Sequence, residues 1–243
     1  MEIKEVNTMS YSNAPFKLKQ IQEEILATAR KAGRDPGDIS LIAVSKLHPY
    51  TAVQSLVQAG HLDFGENYIQ EALQKQEKIE YNNLRWHFIG HLQSNKAKFV
   101  PGNFHLVHTV DSIKLARALH NVAKDINIVQ PILIQVNIAE ENQKFGICKT
   151  ELSHLVQGIL NLSNLDLQGL MCMPPFFDDS EKSRPYFCKL RQLRDQINNK
   201  FDLHLPHLSM GMTADFTQAI EEGATLLRVG TRIFGSRPKL MPK

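Results

Sequence analysis

Eight short apolar runs alternate with longer helical patterns and predict an α/β protein, a single (β/α)8 TIM-type barrel with an extra N-terminal helix. Three observations carry that expectation. The alternation does not break over roughly 190 residues, so each strand and the helix after it form a βα unit of a parallel sheet. The number of strands is the number such a barrel needs. No G-x-G-x-x-G turn follows the first strand, which weakens the alternative of a doubly wound sheet. The chain has 243 residues, 42% hydrophobic and 22% charged. That is an ordinary globular balance in a chain long enough to bury a core without disulfide or metal staples.

The elements follow in order. Residues through Ser12 are polar and aperiodic and read as a loose N-terminal tail (1–12), which leaves 13–243 as one barrel domain. From Pro15 to Ala32, Phe16, Leu18, Ile21, Ile25 and Leu26 fit one helical face, ended by Gly33. The strands are expected at Leu41–Ser45, Leu62–Gly65, Trp86–Ile89, Leu106–Val110, Ile132–Asn137, Leu167–Met171, His207–Met210 and Leu226–Val229. The helices between them are expected at Tyr50–Ala59, Tyr68–Ile79, Ser94–Phe99, Ser112–Lys124, Thr150–Leu160, Ser180–Asn199 and Ala214–Glu222. Asp111-Ser112 is a helix start signal, and Ala59-Gly60 and Glu222-Gly223 are stops.

Composition excludes several functions. Lys+Arg is 28 against Asp+Glu 25, a net charge of +3, too weakly basic to imply nucleic acid. Lys96 and Lys98 are most simply a solvated face. The longest uncharged apolar runs, such as Pro131–Ala139, fall far short of the ~20 residues a bilayer span needs. Cys148, Cys172 and Cys188 have no metal-ligand spacing, and an odd number argues against a disulfide framework. Met1–Lys4 has no apolar signal-type region, so the cytoplasm is the expected location.

Barrel proteins place chemistry at the C-terminal ends of their strands. Reading just past each strand gives Lys46, Asn67, Gly90-His91, Asp111, Asn137-Ile138, Met173-Pro174, Met210-Gly211-Met212 and Gly230-Thr231. Apolar walls lower the pKa of a lysine such as Lys46, and a neutral amine attacks an aldehyde to form a Schiff base; the plain alternative is a lysine snorkelling into water. Ser209-Met210-Gly211-Met212-Thr213 joins the seventh strand to a helix, with Thr213 a fair N-cap. Together with Val229-Gly230-Thr231 it occupies the two loops where barrels often bind phosphate. Two ordinary glycine turns would read the same way. Arg228 needs a partner if it faces the bore, and otherwise pairs with an outer helix. Ser209 is placed inward by alternation. Glu66 either orders the mouth or is solvated, and His87 reads as a structural histidine.

Longer motifs then become recognisable. Val44-Ser45-Lys46, Phe64-Gly65-Glu66-Asn67-Tyr68-Ile69-Gln70-Glu71 and Trp86-His87-Phe88-Ile89-Gly90-His91-Leu92-Gln93-Ser94-Asn95-Lys96 occur in order. They are followed by His108-Thr109-Val110-Asp111, Gln135-Val136-Asn137-Ile138, Gly169-Leu170-Met171, Leu208-Ser209-Met210-Gly211-Met212 and Arg228-Val229-Gly230-Thr231-Arg232-Ile233-Phe234-Gly235. Over residues 16 to 237 the chain resembles the pyridoxal-phosphate homeostasis protein family, also called the YggS/PROSC family. The resemblance implies a barrel similar to the N-terminal domain of alanine racemase. It implies pyridoxal 5′-phosphate (PLP) held as a Schiff base on Lys46, with Asn67 near the ring and Arg228 against the pyridine nitrogen. Ser209, Gly230 and Thr231 would take the phosphate, helped by amides around Met210 and Gly211. Leu47-His48 stands where Thr-Lys is often seen and His91 where Pro is common.

An arginine stays protonated and cannot act as an acid toward the pyridine nitrogen, and an unprotonated ring is a weak electron sink. Racemisation needs acid and base groups on both faces of the substrate carbon, and the chain as given ends soon after the eighth strand, without the additional β domain of alanine racemase. The expected function is therefore a non-catalytic PLP carrier in vitamin B6 and amino/keto-acid balance. It would have no catalytic or metal-ligating residues, hand PLP to apo enzymes and bind neither nucleic acid nor membrane; the family resemblance implies a monomer. The alternatives are a weak PLP-dependent amino-acid racemase and a PLP-sensing regulatory interaction module.

Overall fold

The computed structural model describes residues 11–141 and 143–236. Eight parallel strands close into a barrel in sequence order: β1 (Ser40–Val44), β2 (Asp63–Glu66), β3 (Arg85–Phe88), β4 (Leu106–Val110), β5 (Gln130–Gln135), β6 (Leu165–Met171), β7 (His207–Ser209) and β8 (Leu226–Val229). β1 pairs with both β2 and β8, so no edge is left open. The helices are α1 (Ala14–Lys31), α2 (Tyr50–Gln58), α3 (Ile69–Lys78), α4 (Ile113–Asp125), α5 (Leu152–Leu160), α6 (Arg184–Phe201), α7 (Phe216–Glu221) and α8 (Thr231–Phe234). α8 has no counterpart among the expected elements.

α1 is the extra helix. Pro15 stands in its first turn, where a missing N–H costs nothing, and Ala14, Leu18, Ile21, Ile25 and Ala29 recur at helical spacing on its buried face. That face packs on α2, α7 and α8, covering the seam where β8 meets β1. Arg34 ties the end of α1 to the β7–β8 connection by donating to the carbonyls of Ile220 (2.8 Å) and Ala224 (2.7 Å).

The expected tail lies outside the described residues as far as residue 10. Its last part is not loose. Tyr11 is buried, hydrogen-bonds His48 Nδ1 through its hydroxyl (3.0 Å) and meets the ring of Phe234 edge-on. His48, at one of the two positions that depart from the resembled pattern, also packs on Phe234 and so clamps both ends of the described chain.

Several boundaries move for local reasons. The expected helix at Ser94–Phe99 is a 3-10 turn of six residues. A 3-10 turn, Ser180–Ser183, also precedes α6, because Asp179 accepts from the amide of Glu181 and Pro185 starts a fresh helix. β5 begins two residues early: buried Gln130 donates from Nε2 to Phe104 O and takes its place in the ladder. It ends at Gln135, since the Asn137 side chain is spent on the backbone of Glu141 in the following loop. The start and stop signals read as expected. Ser112 caps α4 by accepting from Leu115 N, and Gly60 and Gly223 take positive φ after α2 and α7.

The barrel has an outer core between strands and helices and a small separate core in its bore. Ile42, Leu106, Leu133, Met171 and Leu226 make up the bore cluster, one residue from each of five strands. Beside this cluster lie buried polar residues of the other strands and of β4 and β8: Asp63, His87, His108, Ser209 and Arg228.

Candidate functional site

The register of the sheet brings the expected residues together from separate strands. Val44 is level with Gly65, so Lys46 and Asn67, each two residues further on, stand side by side at the mouth. Ala43 is level with Val229, which places Gly230 beside Val44; a Cβ on Gly230 would come within 3.0 Å of Val44 O. On the far side of β8, Arg228 N donates to Gly211 O (3.0 Å), linking the two glycine loops. Lys46, Asn67, Gly211, Arg228 and Gly230 therefore converge on adjoining strands.

A buried ion-pair cluster supports the lysine-bearing turn. Lys75 Nζ, at 4% residue exposure, donates to Glu66 Oε1 (2.6 Å), Glu71 Oε1 (2.7 Å) and the carbonyl of Ser45 (2.7 Å). Ser45 Oγ donates to the same Glu66 oxygen (2.6 Å), and the amide of Leu47 donates to Glu71 (2.6 Å). Both neighbours of Lys46 are thus tied to one cluster. Leu47 adopts φ 65°, a left-handed conformation rare for a leucine, and the Glu71 bond holds it there. Burial pushes the Glu66 carboxyl above its ordinary value, although Lys75 and the hydrogen bonds from Lys75 and Ser45 pull the other way. Glu66 orders the mouth, one of the two roles open to it from sequence. Lys75 was not singled out in sequence, because its role depends on α3 packing against the ends of β1 and β2.

Asn67 Oδ1 is buried and lacks a hydrogen-bond partner among the described residues. Such an atom costs free energy unless a ligand or water meets it. Gly90 is what lets Asn67 sit there: a Cβ on Gly90 would lie 2.2 Å from Asn67 O.

Arg228 is buried at 4% exposure and faces the bore. It donates from Nη1 to Ser209 Oγ (2.5 Å) and from Nη2 to Cys172 O (2.9 Å). Burial lowers its pKa from the ordinary value; the charge of Asp215 offsets part of that cost, but no carboxylate among the described residues bonds the guanidinium. The same burial pushes the Cys172 thiol up to about 12, so that sulfur is inert. Ser209 points inward as alternation required, and its oxygen also contacts His108 Nδ1 (2.8 Å). A phosphate on Ser209 would have to compete with both bonds.

The phosphate loops differ in detail from the sequence expectation. Thr213 is not the N-cap of the seventh helix. Asp215 takes that place and accepts from Met212 N (2.7 Å), so the turn closes on itself and α7 is only six residues long. The amide of Met210, expected among the phosphate donors, is spent on Leu226 O (3.2 Å). Gly211 has φ 89°, and a Cβ there would lie 2.5 Å from Ala219 Cβ, so the tight loop requires glycine. Thr231 is exposed at the start of α8, next to Gly230. His91 stacks on Phe145 with centroids 3.6 Å apart.

The family model for the N-terminal domain of alanine racemase matches residues 17–238. A pyridoxal phosphate homeostasis protein of Aquifex aeolicus is 42% identical over 225 residues, covering 93% of this chain and 99% of that protein. A solved protein of Bifidobacterium adolescentis described as unknown superposes with a TM-score of 0.86 at 30% identity, covering 94% of this chain and 97% of that one. PipY of Synechococcus elongatus, solved with PLP bound, superposes with a TM-score of 0.78 at 34% identity, covering 88% of this chain and 100% of that one. With this barrel, these motifs and this extent of identity, the chain belongs to the pyridoxal phosphate homeostasis proteins, a family built on the alanine-racemase N-terminal barrel.

Proposed function

We propose that this protein binds PLP at the C-terminal mouth of the barrel and serves intracellular PLP homeostasis as a monomeric, non-catalytic cytoplasmic carrier. The observation that carries the reading is the convergence of Lys46, level with Asn67 across β1 and β2, with buried Arg228 on the neighbouring β8. Lys46 supplies the amine. An amine there would hold the aldehyde of PLP as a Schiff base, the chemistry that the cofactor would supply. Arg228 would face the ring nitrogen, and Asn67, whose Oδ1 has no hydrogen-bond partner among the described residues, would lie near the ring. Gly211, Gly230 and Thr231 would hold the phosphate from the last two loops. The PLP-bound relative PipY and the names of the curated relatives support this reading.

Arg228 also bears on catalysis. A guanidinium does not give up its proton at neutral pH, so it leaves the ring nitrogen unprotonated and the ring a poor electron sink. Storage and delivery of a reactive aldehyde need no sink. Purified protein mixed with PLP should take it up and show no amino-acid racemase or lyase turnover and no α-proton exchange into deuterated solvent. A substantial rate that Lys46→Ala abolishes would contradict the carrier role.

A further inference from the structure

We propose that Ser209 positions Arg228 rather than binding phosphate, as the mouth-side member of a one-way hydrogen-bonded chain, Arg228–Ser209–His108–His87–Asp63, which carries carboxylate compensation through the barrel bore to the guanidinium. The inference rests on the PLP reading for its ligand and on the bore geometry for its direction.

The chain runs the height of the barrel. Asp63 and Arg85 open β2 and β3 at the N-terminal base, where Arg85 grips Asp63 through Nε (2.6 Å) and Nη2 (2.5 Å). His87 Nε2 lies 3.1 Å from Asp63 Oδ1, and His87 Nδ1 lies 3.0 Å from His108 Nε2. His108 Nδ1 then meets Ser209 Oγ, which accepts from Arg228 near the end of β8. His87, His108 and Ser209 are each no more than 2% exposed.

The two ends determine every proton between them. A carboxylate only accepts, so His87 donates from Nε2. In neutral His87 the Nδ1 is then an acceptor, and His108 donates to it from Nε2. Neutral His108 likewise leaves Nδ1 as an acceptor, and the Ser209 hydroxyl donates to it. Ser209 oxygen in turn accepts from Arg228, whose guanidinium only donates. Four hydrogen bonds therefore point the same way, from cation to anion, an arrangement in which each polarises the next. The Ser209 proton is turned away from the mouth and unavailable to a phosphate.

Both rings remain neutral for physical reasons. Burial is the largest cause lowering the pKa of each, and Arg85 near His87 and Arg228 near His108 repel a further positive charge, against the attraction of Asp63 for His87. Asp63 remains ionised: burial alone would raise its carboxyl, but the hydrogen bonds from His87 and Arg85 hold it well below the usual carboxylate range.

Two measurements test the chain. In uniformly 15N-labelled, ligand-free protein at pH 7, imidazole NMR should show His87 and His108 both as the Nε2–H tautomer with an unprotonated Nδ1. Assignment follows from the signals lost in His108→Leu. An Nδ1–H tautomer or an imidazolium at either position would overturn the direction of the chain, whether or not PLP binds. The second measurement titrates wild type and Ser209→Ala with PLP and with pyridoxal, which lacks the phosphate. The substitution should weaken both ligands by the same factor, within twofold, and its effect should not add to that of His108→Leu. A loss at least tenfold greater for PLP than for pyridoxal, or full additivity, would return Ser209 to the phosphate. Failure of wild type to take up either ligand would overturn the PLP reading itself.

Discussion

At the scale of single residues, the mouth depends on a buried cation that contacts no expected ligand position directly. Lys75 pairs with both Glu66 and Glu71 and bonds the backbone beside Lys46. Removing one member of a buried ion pair costs about 3–5 kcal/mol, because the partner charge is left unpaired. Lys75→Met should therefore lower the stability by about that amount in a urea unfolding curve, and Glu66→Leu combined with Lys75→Met should recover most of it. A single-variant loss under about 1 kcal/mol would show that the cluster is solvated. The placement of Lys46, Asn67 and Arg228 at or near strand ends was legible in sequence, since the strands themselves were. Lys75 was not: an i,i+4 pair with Glu71 on a helix reads as an ordinary exposed salt bridge until the sheet closes over it.

At the scale of elements, strand tips are set by how closely neighbouring loops can pass. Gly90, just beyond β3, gives the Asn67 backbone its room. Gly90→Ala places a methyl against a carbonyl at 2.2 Å, and one of the two strand ends must move. Such overpacking costs about 1–3 kcal/mol. We expect a lowered thermal midpoint together with weaker PLP uptake, because Asn67 is displaced. An unchanged uptake at a lowered midpoint would separate Asn67 from the ligand. Strands and helices were legible to within a few residues because periodicities of 2 and 3.6 are local. Their ends were less so. The start of β5 depends on where the Gln130 side chain finds a carbonyl, and the start of α7 on Asp215 reaching back to Met212. The four-residue α8 is too short to show a period at all.

At the scale of the whole molecule, the buried histidines tie stability to pH. His61, His87, His105, His108 and His207 all have lowered pKa values, with burial the largest cause in each. The unfolded chain therefore binds more protons than the folded one below about pH 6.5, and stability falls as pH drops through that value. Asp63 acts in the same direction at lower pH. Its folded pKa is depressed, so its contribution is present above the unfolded value and lost as pH falls toward the folded one. Glu66 and Asp111, with raised values, act in the opposite direction through the carboxylate range. Urea midpoints should decline from pH 7 to pH 5, with a shallower slope in His108→Leu. A flat profile over that interval would contradict the neutral bore. The barrel as a whole was legible from eight alternations, but its polar bore was not, because which inward residues meet across the axis is set by closure and stagger rather than by local pattern.

The central claim is that PLP is held at the mouth on Lys46. Borohydride reduction of the protein mixed with PLP, followed by mass mapping of its peptides, tests that most directly. A single pyridoxyl adduct is expected on the peptide containing Lys46, absent in Lys46→Ala. An adduct on another lysine, or none on any, would contradict it.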